Sequence, residues 1–413
     1  TDCTALEKVV IDNSYVTIED NVFEGCTKLE TINLGKNVVA INPRAFKDCT
    51  SLNNIVIPDK DVNISKLAFE NTKFYNDESN WKNGFLYCGN HLIDSKNKTG
   101  KIVISEGTKT IASGVFSGTQ ITQVIFPDSL LRIGNDSFRW CRQLDNVIIP
   151  KNVKTIESGA FSTCSLLKTL EIGESVEFVE DEAFSYCDLS DLTLKWRVKS
   201  VGEEAFRGCK FKGIIEFPDE LETIGKQAFA ECHYITGVKF GNNLVSIGQS
   251  AFEYCSIIEN IDLGNSVKSI GKLAFKNCGT LKSISLGDSV ERINAQAFKD
   301  CTALESIKLG KNIKYLYYSA FENTAFYNNE ANWENGVLYI REYLIKANKE
   351  IVKGSYSIKE GTTCIAGAAF EDCRLMDGIT IPVSLKEIGE YSFQGIYLDV
   401  LEIPEGVTKI GEY

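Results

Sequence analysis

The sequence predicts a repeat solenoid: a curved parallel sheet with one short strand per repeat, turns or short helical or 3-10 segments on the opposite side, and two β-hairpin insertions. Three observations carry that reading. Phenylalanine recurs at positions 23, 46, 69, 116, 138, 161, 184, 206, 229, 252, 275, 298, 321, 370 and 393, in steps of 22 or 23 residues apart from two gaps of 47 and 49. A fixed apolar position precedes each of these residues, and a Leu-x-x-Ile-x-Leu run follows in phase. The two gaps are about two periods long, so a spatial unit is lengthened there without loss of phase. A period of this size marks stacked coils that share one core.

Five residues before Phe stands Ile, Val or Leu in all fifteen units, from Ile18 and Ile41 through Val179 and Leu316 to Ile388. That position is a buried ladder. The residue directly before Phe is usually Ala, as at Ala45, Ala160 and Ala297, which leaves room for the ring of the adjacent coil. The following run, for example Leu29-Glu30-Thr31-Ile32-Asn33-Leu34, ends in the apolar, polar, apolar alternation of a one-sided strand. Pro58, Pro127, Pro150, Pro218, Pro382 and Pro404 stand directly after such strands and Gly fills the slot in most other units; both residues end a strand and turn the chain. Sixteen parallel strands, at a spacing of ~4.8 Å, make a sheet on the order of 75 Å long, an extended surface rather than a pocket.

Eleven of the 14 cysteines lie three residues after Phe, from Cys26 and Cys49 to Cys373, and Cys3 fits the same phase. Thr72, Thr119 and Thr324 take the slot elsewhere, so the position asks for a small buried group and cysteine packs there. A ladder aims its sulfurs in one direction, whereas a disulfide needs them aimed at each other; the expectation is reduced thiols and no metal-thiolate site. Cys88 and Cys364 are out of phase and read as free thiols.

The recurring Ala-Phe-x-x-Cys-x-x-Leu-x-x-Ile-x-[Leu/Ile]-[Pro/Gly]-x-x-Val-x-x-Ile resembles the BspA-type leucine-rich repeat and covers essentially the whole chain. The resemblance implies a leucine-rich repeat solenoid of the horseshoe-like α/β class. It further implies the setting of similar members, bacterial and protozoan surface or secreted proteins. Adhesion, binding of a host matrix protein or contact with another cell would follow, with an extracellular or cell-surface location. On this reading residues 1–413 are one continuous solenoid. Its ends, Cys3 without a preceding Ala-Phe and Ile410-Gly411-Glu412-Tyr413 without a following Phe, look cut from a longer array.

The two gaps hold near duplicates, inserts 70–98 and 322–349, each with the pattern Glu-Asn-Thr-x-Phe-Tyr-Asn and an Asn-Trp-x-Asn-Gly-x-Leu-Tyr run. Each continues into a short apolar run, His91-Leu92-Ile93 or Tyr343-Leu344-Ile345, which reads as a hairpin that projects from or folds over the solenoid. Trp81 and Trp333 either anchor each insert to its own coil or offer an aromatic platform to a sugar. Anchoring is favoured, because the same residues recur in both copies.

Net charge is −12, with 44 basic against 56 acidic residues and no basic run, which makes nucleic acid and anionic lipid poor partners. No stretch has the ~20 apolar residues of a membrane helix. With His91 and His233 as the sole histidines, paired-imidazole chemistry is close to excluded. Asp59 to Glu70 partly matches a calcium loop, but Ile64 stands where that loop needs Gly and belongs to the core ladder. Asn63, Asn97 and Asn135 begin glycosylation sequons, relevant to a eukaryotic source. No nucleophile elbow, phosphate loop or zinc motif is present. No enzyme activity, cofactor or metal is expected.

The residue between the two inward strand positions should face outward. It reads Val10, Asn33, Val56, Val103, Ile125 and Ile148, then Glu171, Thr193, Glu216, Lys239, Asp262, Ser285 and Lys308. The apolar first part is either good strand-forming sequence on an open sheet or a binding stripe. Val10, Val56, Val103, Ile125, Ile148, Trp81 and Trp333 are therefore the candidate contacts for a protein or glycan partner, host matrix and cell-surface proteins included. The alternative is a structural spacer that displays another domain.

Overall fold

The computed structural model describes residues 1–12, 15–190 and 197–413. Two compact units, Thr1–Lys210 and Phe211–Tyr413, are each a stack of coils, and among the described residues three corners recur.

The first corner is the expected strand. In the first unit Lys8–Ile11, Thr31–Leu34 and Asn54–Val56 form one parallel set, and Thr99–Val103, Gln120–Ile125, Asn146–Ile148 and Thr169–Glu171 form another. In the second unit the same corner gives Asn260–Asp262, Ser283–Ser285 and Ser306–Lys308, among other sets. Alternation holds: Ile32, Val124, Val147 and Ile284 are buried between exposed or half-exposed neighbours. Each such side chain contributes roughly 1.5–3 kcal/mol by leaving water.

The second corner is the ladder five residues before Phe. One strand per coil was the expectation; the coils carry a second short strand here, for example Ser269–Ile270 beside Arg292–Ile293. The cause is stacking: once the ladder residue is buried, its backbone amides have no water and pair with the next coil.

The third corner is a turn around Phe, bent by left-handed residues two before and two after the ring, such as Leu273 (φ 61°) and Asn277 (φ 61°). Turns, not helices, close these coils. The Phe275 amide donates to Ala297 O in the next coil at 2.8 Å. Its ring stacks on Phe252 and Phe298 at 5.3 Å each. Ala at the preceding position makes that approach possible, and each stacked pair adds ~0.5–1.5 kcal/mol beyond area burial.

No disulfide joins the cysteines, and all but Cys3 are buried. Their thiols do more than fill space: Cys49 donates to Phe23 O at 3.0 Å, Cys141 to Phe116 O at 3.0 Å and Cys301 to Phe275 O at 3.1 Å, each reaching into the preceding coil. Thr72, Thr119 and Thr324 instead donate to the Phe carbonyl of their own coil at 2.7–2.9 Å. Burial pushes the Cys88 and Cys364 thiols up to about 12, which keeps them protonated and unreactive.

The inserts do not project. In the first, Trp81–Lys82, Phe85–Cys88 and His91–Ser95 form an antiparallel hairpin, and its last strand then pairs in parallel with Thr110–Ile111, Leu92 beside Ile111. In the second, Trp333–Glu334, Val337–Ile340 and Tyr343–Ala347 repeat this, with Leu344 beside Ile365. Leu86, Leu92, Leu338 and Leu344 are fully buried. The hairpin serves as a rung of the stack because its apolar run can be buried only by joining the ladder.

Candidate binding face

The outward row expected from the sequence is found in the first unit. Val10, Val56, Val103, Ile125 and Ile148 are 50, 46, 57, 42 and 54% exposed, while their inward neighbours Ile102, Val124 and Val147 are buried. Register places Val103 beside Ile125 and Ile148 beside Glu171, and Gln123 opposite Asn146 sets Ile125 next to Ile148. The row is nevertheless in two parts. Val10, Asn33 and Val56 lie on the first set of strands, and the insert hairpin separates them from Val103, with Cys88 donating its thiol to Ile55 O at 3.6 Å. Three adjacent aliphatic side chains, Val103, Ile125 and Ile148, thus stand without an intervening polar residue. In the second unit the same position carries Glu216, Lys239, Asp262 and Lys308, exposed, and Ser285, half-exposed. Thr193 lies outside the described residues.

Trp81 and Trp333 lie inside the inserts. Trp81 Nε1 donates to Tyr75 O at 2.8 Å and its ring meets the Tyr75 ring edge-on at 5.4 Å, with Lys96 Nζ 4.1 Å from its centroid. Trp333 repeats the bond to Tyr327 O at 2.8 Å and the edge-on contact at 5.3 Å. Thr72 and Thr324 cap the short helices Lys73–Asn76 and Ala325–Asn328, accepting from Tyr75 N and Tyr327 N at 3.1 and 3.0 Å. These bonds run from each indole to residues of its own insert and not to the adjoining coil.

One feature escaped the sequence reading. Beside the second insert a cavity of about 390 Å³ opens between Tyr315, Tyr317, Glu387, Glu390, Lys409 and Glu412. Its walls come from coils far apart in sequence, so no spacing marks them. A position-by-position comparison of the coils flanking the two inserts would have found the exchange of Arg132 for Glu387. Among the described residues no group of three or more His, Cys, Asp or Glu side chains is placed to hold a metal, and no helix is long and apolar enough to cross a membrane.

The chain is similar to three solved bacterial structures. A leucine-rich repeat protein from Bacteroides ovatus ATCC 8483 is 22% identical over 95% of this chain and 77% of that one, with a TM-score of 0.36. A leucine rich cell surface protein from Faecalibacterium prausnitzii A2-165 is 22% identical over 98% of this chain and 87% of that one, also at 0.36. A leucine-rich repeat protein from Eubacterium ventriosum ATCC 27560 is 14% identical over 97% and 85%, at 0.32. A search of curated proteins finds no match. The repeat model of one family, the BspA type leucine rich repeat region, matches residues 1–83, 88–212, 211–328 and 347–413 in six copies. With coil pattern and family model in agreement over most of its length, the chain belongs to the BspA-type leucine-rich repeat family.

Proposed function

We propose that the chain is a non-enzymatic binding module of the cell surface or extracellular space that engages a partner in adhesion or host-matrix recognition. The contact face is the outward side of the four-stranded set in the first unit. The observation that carries this reading is the row Val103, Ile125 and Ile148, three exposed aliphatic side chains side by side in register. Contiguous exposed apolar surface is characteristic of contact sites. An aliphatic row offers a sugar neither hydrogen bonds nor a ring to stack on, and Trp81 and Trp333 are bonded within their inserts, so on this face a protein partner is favoured over a glycan. Family membership supports the surface location.

The test is adhesion of cultured epithelial cells to the immobilised protein, parent against V103S/I125S/I148S. Loss of a central apolar contact should weaken adhesion about tenfold or more, while the outward substitutions change stability by less than about 1 kcal/mol. Equal adhesion by a folded triple variant would reject the face and favour a spacer role.

A further inference from the structure

The coils flanking the two inserts differ at one equivalent position. Arg132 precedes the core residue Ile133, and Glu387 precedes Ile388, each in the second ladder strand after its insert. Arg132 reaches back to Asp61, Nε to Oδ1 at 2.6 Å and Nη2 to Oδ2 at 3.0 Å, and its Nη1 meets Glu157. A guanidinium therefore closes the seam beside the first insert. In the second unit all three partners have changed. Glu387 replaces the arginine, Asn312 precedes the core residue Ile313 where Asp61 precedes Val62, and Gly411 stands at the position of Glu157.

The result is the cavity of about 390 Å³. Glu387 Oε1 accepts from the Thr408 hydroxyl at 3.2 Å, but its Oε2 is shielded from solvent with no hydrogen-bond partner. Such an oxygen is costly to leave unpaired. Three carboxylates line the space, those of Glu387, Glu390 and Glu412, against the two ammonium groups of Lys314 and Lys409. Burial, with Glu412 alongside, holds the Glu390 carboxyl above its usual range. Lys409 Nζ sits 3.6 Å from the Tyr315 ring centroid, and its charge partly offsets that rise at Glu390. Arg292 brings its guanidinium within 4.1 Å of the same ring and donates to Tyr317 Oη at 2.7 Å. An aromatic face beside an unpaired carboxylate oxygen is the chemistry that selects organic cations.

We propose that this cavity receives a cationic side chain, guanidinium or ammonium, of a protein partner, with Lys409 as the placeholder that it displaces. The proposal rests on the reading of the chain as a protein-binding module but concerns the other unit, so the two are separable. Displacement of Lys409 frees the Tyr315 ring, and the incoming charge compensates the Glu387 carboxylate as Arg132 compensates Asp61 and Glu157.

The test uses the full chain and three capped tripeptides, Gly-Arg-Gly, Gly-Lys-Gly and Gly-citrulline-Gly, read by saturation-transfer NMR. The arginine or the lysine peptide should bind, and the isosteric neutral citrulline peptide should bind about tenfold more weakly or not at all. Lys409→Ala should tighten binding several-fold, and Glu387→Gln should weaken it about tenfold with an unchanged circular dichroism spectrum and melting temperature. Citrulline binding equal to arginine binding would overturn the proposal, as would a folded Glu387→Gln variant that binds like the parent, or no binding of either cationic peptide to Lys409→Ala. The V103S/I125S/I148S variant should bind the peptides normally, so failure here with intact cell adhesion removes the cavity and leaves the apolar face standing.

Discussion

The inserts at 70–98 and 322–349 are alike inside and different at their seams. Inside, each has a threonine that caps a one-turn helix, an indole bonded to a tyrosine carbonyl, and an asparagine, Asn80 or Asn332, donating to Phe74 O or Phe326 O at 2.8 Å. At the seam, His91 joins Pro58 O at 2.9 Å and Thr110 Oγ1 at 2.8 Å, where Tyr343 donates to Gly310 O at 2.9 Å. Arg132 seals the first seam, and Glu387 leaves the second open. Bonds local to the insert hold its capping threonine, its indole and its asparagine, whereas the rungs on either side need only bury an apolar side chain. Their polar residues are therefore where two copies of one structure can come to differ in what they bind.

The largest effect tests the shared half of this comparison. Leu92 and Leu344 are fully buried rungs, so Leu92→Ala and Leu344→Ala should each cost about 2–5 kcal/mol in denaturant unfolding. Losses below about 0.5 kcal/mol in either copy would mean that its hairpin only rests on the surface.

A smaller effect tests the difference. Measured above about pH 8, where Glu157 is charged, Arg132→Ala leaves that buried carboxylate without its guanidinium and should cost about 2 kcal/mol, between the values for exposed and fully buried pairs. Glu387→Ala breaks no comparable ion pair and removes an unpaired buried oxygen, so it should not destabilise and should raise stability by up to about 1 kcal/mol. Adding Glu157→Gln to Arg132→Ala should restore part of the loss, because no unpaired charge remains. Equal costs at 132 and 387 would erase the asymmetry.

The smallest effect sharpens the contrast between His91 and Tyr343. Burial holds the His91 imidazole below its ordinary value of 6.5, so between the lowered value and 6.5 the unfolded chain binds more protons than the folded one. The stability contributed by neutral His91 is complete above 6.5 and is lost as pH falls through that window. Glu157 acts in the opposite sense: burial pushes its carboxyl up from 4.5 to about 7 against the pull of Arg132, so that contribution grows as pH falls from about 7 toward 4.5. The difference between parent and His91→Tyr isolates the histidine. The variant's margin over the parent should widen as pH drops from about 7 to about 5, measured by denaturant midpoints. A margin that is constant or shrinks would show that His91 is not held neutral by the fold.

The ladder, the stacked phenylalanines and the outward row were legible in the sequence because each follows from one phase repeated fifteen times. The second strand in each coil was not, since a pair such as Thr155–Ile156 is too short to show alternation and owes its pairing to stacking. The cysteines could be read as packing residues but not as donors, because the acceptor of Cys141 is Phe116 O, 25 residues upstream in the preceding coil. The hairpins were recognisable from their turns, but their parallel pairing with the next coil depends on a long-range partner. For the same reason the cavity was hidden: Tyr315, Glu387 and Lys409 carry no common motif.

The proposed function puts the partner on the outward row of the first unit. A photo-crosslinking amino acid placed at position 125, and in separate proteins at 147 and 262, tests it directly, because Ile125 and Asp262 are outward and exposed while Val147 is buried. Irradiation of each protein on epithelial cells should give a discrete crosslinked species from position 125 and none from 147 or 262. Crosslinking from 262 with none from 125 would contradict the claim and move the contact to the polar row of the second unit.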